Sequence, residues 1–574
     1  MKTREEEWMD VKHVNKYTRQ YFLPPKPCFD WVHRDYLDHP PIWCSVDLRD
    51  GNQALIVPMN LEEKLAYFQL LVEIGFKEIE VGFPAASDTE FEFVRTLIER
   101  DLVPDDVTIQ VLTQSRDHII ERTFEAIRGA KRAIVHLYNS TSVAQREQVF
   151  RADKDEIVNI AVTGAEQIRD LARTTPGNFF FQYSPESFTG TELDFALEIC
   201  NAVLDVWQPT PDRKVIINLP ATVELSMPHV YASQIEYMGK HLARRDAVIL
   251  SVHPHNDRGT GVAAAELAML AGAERLEGTL FGNGERTGNV DIVTLALNLY
   301  SHGIDPGLDF SNLPAIQARV EALTKMQVSR RHPYAGELVF TAFSGSHQDA
   351  IAKGMKWREE KSPEHWTVPY LPIDPKDIGR EYEGDIIRIN SQSGKGGIGY
   401  VLEQSHGFDL PPKMREQLGY AVKRVSDREQ KELSADEIAE IFMREFVNLG
   451  QPLDLVELTG TDAKGSHRVR ATVVWQGETV EIEGAGNGRL DALCHALEEG
   501  LGIRVANLTY KEHALEVGSG SRAVAYISVD DEEGNTHFGC GVDTDIMEAS
   551  AKALVSAVNR MLAHRPEIAV PVSK

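Results

Sequence analysis

The stretch Ala247–His253 reads AVILSVH and runs on through Pro254 to His255. It is a short aliphatic run that stops at a polar pair, as a buried strand does when it reaches the end of a sheet. Seven more runs of this kind recur through the first half of the chain. They are Ile42–Leu48, Glu78–Pro84, Thr108–Gln114, Arg132–Asn139, Asn178–Ser184, Lys214–Pro220 and Arg275–Phe281. Amphipathic stretches such as NLEEKLAYFQLLVEIG and GVAAAELAMLAGA lie between them. Strands alternating with helices predict βαβ units and a parallel sheet. Eight units within about 250 residues predict an α/β fold of the closed (β/α)8 barrel type, the TIM barrel. A doubly wound sheet is the competing arrangement. It more often has fewer strands and a glycine-rich loop after the first, where this chain has DGNQAL.

Outward from the barrel the pattern changes. Past Leu313 it becomes helices and loops, with irregular segments at His332–Pro333 and Val368–Gly379. The glycine-rich SQSGKGGIGY (Ser391–Tyr400) lacks phosphate-loop spacing and reads as a turn. Near the C-terminus, Val480–Leu501 and His537–Val558 form an internal repeat. Each copy reads as strands, a Gly-x-Gly turn (Gly484/Gly486 and Gly539/Gly541) and a helix with an acidic first turn (Asp491, Asp545). The expectation is an α+β module of duplicated strand–strand–helix units, a ββα-type repeat. The domain boundaries expected are an N-terminal extension over 1–40, the barrel over 41–312, linker subdomains over 313–445 and the repeat module over 446–574.

Composition narrows the function classes. Hydrophobic residues are 42% and charged residues 26% of 574, an ordinary globular mix. A net charge of −27 argues against nucleic acid or an anionic membrane as partners through the overall field. No window of about 18 residues is apolar enough to span a bilayer. The N-terminal MKTREEEWMD has no apolar core of a signal peptide. Five scattered cysteines without a Cys-x-x-Cys pair suit reduced, buried thiols in a cytoplasmic protein.

Candidate chemistry gathers at strand C-terminal ends, where barrel enzymes place their active sites. His253 and His255 are two positions apart, so both imidazoles face one side of a strand and can share one metal. Asp50 follows the first strand. Asn289 lies in GNGERTGN after the eighth, which pairs with the first in a closed barrel. Asp50, His253, His255 and Asn289 therefore make a mixed nitrogen–oxygen set for one divalent cation. Oxygen-rich sites favour Mg2+ or Mn2+, and two imidazoles also permit Zn2+. Arg49, beside Asp50, is suited to stabilise a developing enolate or alkoxide oxygen. Glu186 and Thr222 also end strands. A carboxylate there can hold Arg49 or move a proton, and a hydroxyl can bind a substrate carboxylate.

The segments DLRDGNQA, HPHNDRGTG and LFGNGERTGNVD, with the duplicated tail, carry a resemblance. They are similar to the metal-dependent barrel family that condenses acetyl-CoA with 2-oxo acids or cleaves related carbon–carbon bonds. The chain as a whole resembles the longer, leucine-regulated class of 2-isopropylmalate synthases. The resemblance implies a metal-dependent Claisen-type condensation of acetyl-CoA with 3-methyl-2-oxobutanoate, followed by thioester hydrolysis. It implies Asp50, His253, His255 and Asn289 as metal ligands, Mg2+ as the first choice of metal, and Arg49 as the catalytic arginine with Glu186 beside it. It also places Thr222 on the oxo-acid carboxylate.

His347 and Tyr370 match residues that the family brings over the active site from a linker subdomain, usually the partner subunit's. Leu112, His136, Tyr138 and Ser184 match positions lining the side-chain pocket. For the C-terminal repeat the resemblance implies a leucine-binding feedback domain, with Gly518, Gly520 and Ala523 at the effector, and a homodimer. The alternatives are a homocitrate or citramalate synthase on the same barrel, a retro-aldol lyase, or a non-catalytic leucine sensor.

Overall fold

The computed structural model describes residues 11–342, 344–382, 395–429, 433–463, 466–515 and 520–563. The chain divides into two compact units. One is Met1–Val339 with Ile373–Glu381, and the other is Phe340–Pro372 with Tyr382–Lys574.

The first unit contains eight parallel strands closed into a barrel in sequence order. They are β1 (Ile42–Ser45), β2 (Glu78–Gly82), β3 (Thr108–Gln114), β4 (Ala133–Ser140), β5 (Phe179–Glu186), β6 (Val215–Ala221), β7 (Val248–Pro254) and β8 (Arg275–Gly278). Closure is by β8 against β1, with Ile42 opposite Arg275 and Ser45 opposite Gly278. The barrel read from the sequence is therefore present, with β3 at its expected bounds and the other strand ends moved by up to three residues. The largest differences are at β1 and β8, where turns begin at Val46 and Thr279 before the aliphatic run ends.

Local chemistry explains the helices. Asn60 and Glu63 form a reciprocal capping box for Leu61–Ile74, and Asp153 and Glu156 do the same for Lys154–Thr174. Gly75 ends the first of these at φ 114°, a left-handed position open to glycine. Odd and even strand positions separate two environments. Ile79, Val81, Ile109, Val111, Val135, Leu137, Leu250 and Val252 are fully buried under the helices. The alternate positions Glu80, Gln110, His136, Gln182, Asn218 and Glu277 point into the barrel and bond to one another, while Ser251 accepts from Arg275. The interior of this barrel is thus charged, where branched aliphatics usually fill it. The N-terminal extension packs on the barrel helix Pro228–His241. Trp31 Nε1 donates to Ser233 Oγ at 3.3 Å, and Gln234 Nε2 to Phe22 O at 2.8 Å.

The second unit holds helices Gly345–Lys361, Lys395–His406, Pro412–Glu429 and Ala435–Phe446, then the repeat. Ser391–Tyr400 does not form the expected turn over its described part, because helix starts at Lys395. Residues 391–394 lie outside the described residues. Each repeat copy has three antiparallel strands before its helix, one more than expected. These are β9 (Leu453–Ala463), β10 (Ser466–Trp475) and β11 (Glu478–Gly486), then β12 (Ala506–Ala514), β13 (Ala523–Asp530) and β14 (Thr536–Asp543). The extra strands, β9 and β12, are mostly exposed and carry little hydrophobic pattern.

The Gly-x-Gly pairs are not turns. They lie in β11 and β14 where the following helix crosses. A Cβ on Gly484 would stand 2.3 Å from Ala492 O, and one on Gly541 would stand 1.9 Å from Ala549 O. These two glycines are equivalent, each eight residues before the carbonyl it meets. Asp545 precedes its helix as a cap, its Oδ1 accepting from Met547 N at 2.7 Å. All five cysteines are unpaired. Four are buried and Cys494 is half-buried.

Candidate functional site

The mouth of the barrel is built first by the turn after β1. Gly51 N donates to Val46 O at 3.1 Å, closing a wide helical turn over Asp47–Gly51. Asp47 ties the turn down by accepting from Ser45 Oγ and Tyr67 OH, each at 2.8 Å, and from Leu280 N. This turn lifts Arg49 and Asp50 into the mouth. Arg49 Nη1 donates to Asp50 Oδ1 at 2.7 Å, and its Nε donates to Glu80 Oε1. Burial disfavours the guanidinium charge, but Asp50, Glu80 and Glu277 outweigh it and raise the pKa.

The end of β7 and the residue just past it then present His253 and His255 side by side, with ring centroids 5.3 Å apart. The loop after β8 folds back against this strand, and Val290 N donates to Pro254 O at 2.9 Å. That brings Asn289 Oδ1 to 2.7 Å from His253 Nε2. Asp50 Oδ2 lies 3.4 Å from His253 Nε2 and 3.5 Å from His255 Nε2. The four residues expected to bind metal are thus brought together from β1, β7 and β8.

Asp50 Oδ2 is buried and has no hydrogen-bond partner. A buried carboxylate oxygen left so is costly unless a cation completes it. Burial works against the Asp50 charge. Arg49, His253 and His255 outweigh it and hold the carboxyl below its usual range. The two imidazoles are pushed apart. Burial lowers both, but hydrogen bonds to Asp50 and Glu277 carry His253 up to about 9, while His255, beside His253, falls to about 4. The donors present, one carboxylate, two imidazoles and an amide oxygen, fit a divalent cation. Among the described residues, Glu80, His136 and Glu277 also converge closely enough for one. Hydrogen bonds from Gln110, Gln182 and Asn218 already occupy that second group.

A cavity of about 290 Å³ opens over the site. Leu112, His136, Tyr138, Ser184, Glu186 and Thr222 all line it, as do Arg49, Asp50, His253 and His255. His136 is fixed on both sides, Nδ1 at 2.7 Å from Glu80 Oε2 and Nε2 at 2.7 Å from Ser184 Oγ. Tyr138 OH accepts from Gln114 at 2.6 Å. Thr222 Oγ1 accepts from Ser187 N at 2.9 Å, and its carbonyl accepts from Arg286. The carboxylates on Arg49 are Asp50 and Glu80, while Glu186 accepts from Ser140. His347 and Tyr370 belong to the second unit, where their rings stack with centroids 4.0 Å apart. Gly520 is exposed and Ala523 opens β13. Gly518 lies outside the described residues.

Several residues of the cavity were not singled out from the sequence. Glu80, buried beneath the cavity and holding Arg49, was not singled out either, and its signal was a carboxylate at an inward strand position. Gln53 bridges Asp50 Oδ1 at 3.2 Å and Glu285 Oε1 at 3.1 Å. Arg286 sits at φ 58° and forks onto Asp257 at 2.6 and 3.2 Å. Asp257 Oδ2 also accepts from Glu224 N at 3.0 Å, so the pair ties the loops after β6, β7 and β8 together. Glu285 and Arg286 stand in the polar loop that supplied Asn289.

Comparison with known proteins gives a consistent result. Residues 40–320 match the family described as HMGL-like. Residues 337–403 match the alpha-isopropylmalate synthase post-catalytic domain-like family, and residues 432–562 the LeuA allosteric (dimerisation) domain. The chain is 64% identical over 552 residues to a 2-isopropylmalate synthase of Desulfitobacterium hafniense, covering 96% of this chain and 99% of that one. It is 59% identical over 555 residues to the enzyme of that name from Helicobacter hepaticus, covering 95% and 99%. For the one from Clostridium acetobutylicum the identity is 52% over 558 residues, covering 95% and 99%.

Proposed function

The chain belongs to the 2-isopropylmalate synthase family, and from that membership we propose how its residues join acetyl-CoA to 3-methyl-2-oxobutanoate. The products are 2-isopropylmalate and CoA, at the committed step of leucine biosynthesis, under feedback by leucine. Relatives named for this activity at 52–64% identity leave homocitrate and citramalate synthesis disfavoured.

The observation that carries the site reading is the unpartnered Asp50 Oδ2 facing the Nε2 atoms of His253 and His255. Asp50, His253, His255 and Asn289 would hold a divalent cation, Mg2+ in this proposal. Bound there, the cation supplies Lewis-acid polarisation of the oxo-acid ketone. Thr222 receives the substrate carboxylate through its hydroxyl. Leu112, His136, Tyr138 and Ser184 enclose the isopropyl group. The polar groups of His136, Tyr138 and Ser184 already have protein partners, so they offer little to a charged side chain.

The acetyl methyl group must lose a proton before its carbon can bond to the ketone carbon. A thioester α-proton is weakly acidic, so a placed base is needed. His347 is that base in this proposal, with Tyr370 stacked on it to set the ring. Arg49 lies where negative charge grows on oxygen, and Asp50 and Glu80 keep its fork aimed there. Glu186 faces the same cavity and holds or passes a proton. Water then cleaves the thioester C–S bond and CoA leaves. We assign the protein to a cytoplasmic homodimer in which the partner supplies His347 and Tyr370. Gly518, Gly520 and Ala523 are proposed at the leucine site. No described helix is long and apolar enough to cross a membrane.

The test is CoA release by purified protein with acetyl-CoA and a panel of 2-oxo acids, with and without leucine, before and after chelation. Preference for 3-methyl-2-oxobutanoate, suppression by leucine and loss on chelation are expected. Preference for 2-oxoglutarate or pyruvate would overturn the substrate assignment, and full activity after exhaustive chelation the metal site.

A further inference from the structure

We infer that Glu277, itself held by Arg275, is a positioning residue for the cation site: it sets His253 as the Nδ1–H tautomer and so turns the Nε2 lone pair toward Asp50 and Asn289. The inference rests on the proposed cation site and concerns a residue outside the donor set.

Glu277 is fully buried on β8 and accepts five hydrogen bonds. Its Oε1 takes Arg275 Nη1 at 2.8 Å, Gln110 Nε2 at 2.9 Å and Gln182 Nε2 at 2.7 Å. Its Oε2 takes Asn218 Nδ2 at 3.2 Å and lies 2.8 Å from His253 Nδ1. Surrounded by donors and paired with a guanidinium, this carboxylate can only accept. The hydrogen in its contact with His253 must then sit on Nδ1, so the proton that a cation displaces from the imidazolium is the one on Nε2, which thereby becomes the donor atom. Arg275 is locked in turn by Glu78 Oε2 at 2.5 Å, Ser251 Oγ at 2.9 Å and Gln110 Oε1 at 2.8 Å. His255 has no such support, since its Nδ1 is buried and unpartnered. One imidazole of the pair is therefore pre-set and the other is free to settle.

The arrangement makes an unusual demand on Glu277→Gln, which keeps the size of the side chain. The three donors around Oε1 leave room there only for the amide oxygen. The amide NH2 must then face His253 and give up the contact with Asn218 Nδ2, which turns Nδ1 into an acceptor and moves the ring hydrogen to Nε2. That hydrogen blocks the cation.

The measurement is Mn2+ affinity from the electron paramagnetic resonance signal of free ion, on full-length protein, with calorimetric unfolding of each metal-free variant alongside. Glu277→Gln is expected to bind Mn2+ about 10–100-fold more weakly, the scale of such outer-sphere partners, while still unfolding cooperatively. Glu277→Asp keeps the charge and the pairing with Arg275 but falls short of Nδ1. Its affinity is expected to drop by a smaller factor, which a purely coulombic role would not produce. Parent-like affinity in Glu277→Gln overturns the inference. If that variant does not fold, parent-like affinity in Glu277→Asp overturns it instead. Unchanged affinity in Asp50→Asn would sink the cation site itself, a separate failure from that of Glu277.

Discussion

The inside of the barrel and the core of the C-terminal repeat are both places where strands close against other elements, but they are filled differently. The barrel floor holds Arg275, Glu277, Glu80 and His136, all withdrawn from water. The repeat core holds Val469, Ala471, Val473, Ala525, Ile527, Leu554 and Val558. Buried charge is expensive and stabilises little even when paired. Its concentration inside the barrel marks where stability was given up for geometry. The charged floor aims Arg49 and His253, whereas the apolar core only holds two sheets to two helices. Within the repeat the contrast recurs on a smaller scale. β13 is buried on both faces, one in the repeat core and one against the helices that carry Leu418, Phe442 and Phe446. β10 is buried mainly on one face, and Arg468 and Arg470 point outward.

This contrast can be broken by experiment. The largest effect is expected at the floor's upper edge. Arg49→Ala should lower kcat for CoA release by at least about 1,000-fold, or ~4 kcal/mol of transition-state stabilisation. Turnover within a factor of about ten of the parent, ~1.4 kcal/mol, would make the floor merely structural. In the apolar core the expected effect falls on stability. Gly541→Ala and Gly484→Ala each force a helix off its strand and should cost about 1–3 kcal/mol, read by calorimetric unfolding. Turnover without leucine should persist below the transition. A smaller kinetic effect is expected at the loops. Asp257→Asn removes the fork on Arg286 and should raise the KM for the oxo acid by up to about ten-fold, ~1.4 kcal/mol, with kcat much less changed. An unchanged KM would detach those loops from substrate binding.

The smallest effect concerns a charge pair at the barrel's rim. His332 Nε2 lies 2.9 Å from Asp291 Oδ2. Burial opposes the imidazolium, but Asp291 outweighs it and raises the pKa. A raised folded pKa stabilises fully below the unfolded value of about 6.5 and fades as pH climbs through the folded one. The unfolding-temperature gap between the parent and His332→Gln should therefore be widest near pH 6 and narrow as pH rises. A gap that widens with pH would mean that the pair does not hold the proton.

Much of this was legible before any fold was in view. Eight aliphatic runs with amphipathic stretches between them predict the barrel. The i, i+2 spacing of His253 and His255, with Asp50 and Asn289 at strand ends, predicts that these four side chains meet at the mouth of the barrel, and they do. The third strand of each repeat was missed because β9 and β12 are mostly exposed and place only a few leucines, such as Leu453 and Leu508, against the core. The Gly-x-Gly pairs were misread as turns, since glycine marks a close approach as readily as a bend. Glu80 and Glu277 were passed over because a charge inside a short strand looks like a solvent-facing position.

The sequence by itself determined which residues alternate inward along each strand and which end at the barrel's mouth, because side-chain direction follows from local backbone geometry. Only the tertiary structure decided which partner each inward charge would take. Glu80 meets Arg49 across 31 positions, and Glu277 meets Gln110 across 167. The first needs β2 paired beside β1, and the second exists only once the eighth strand has closed on the first. No local rule chooses among carboxylates so far apart in the chain; the shared interior does, because a buried charge is tolerated only where the fold brings it a partner.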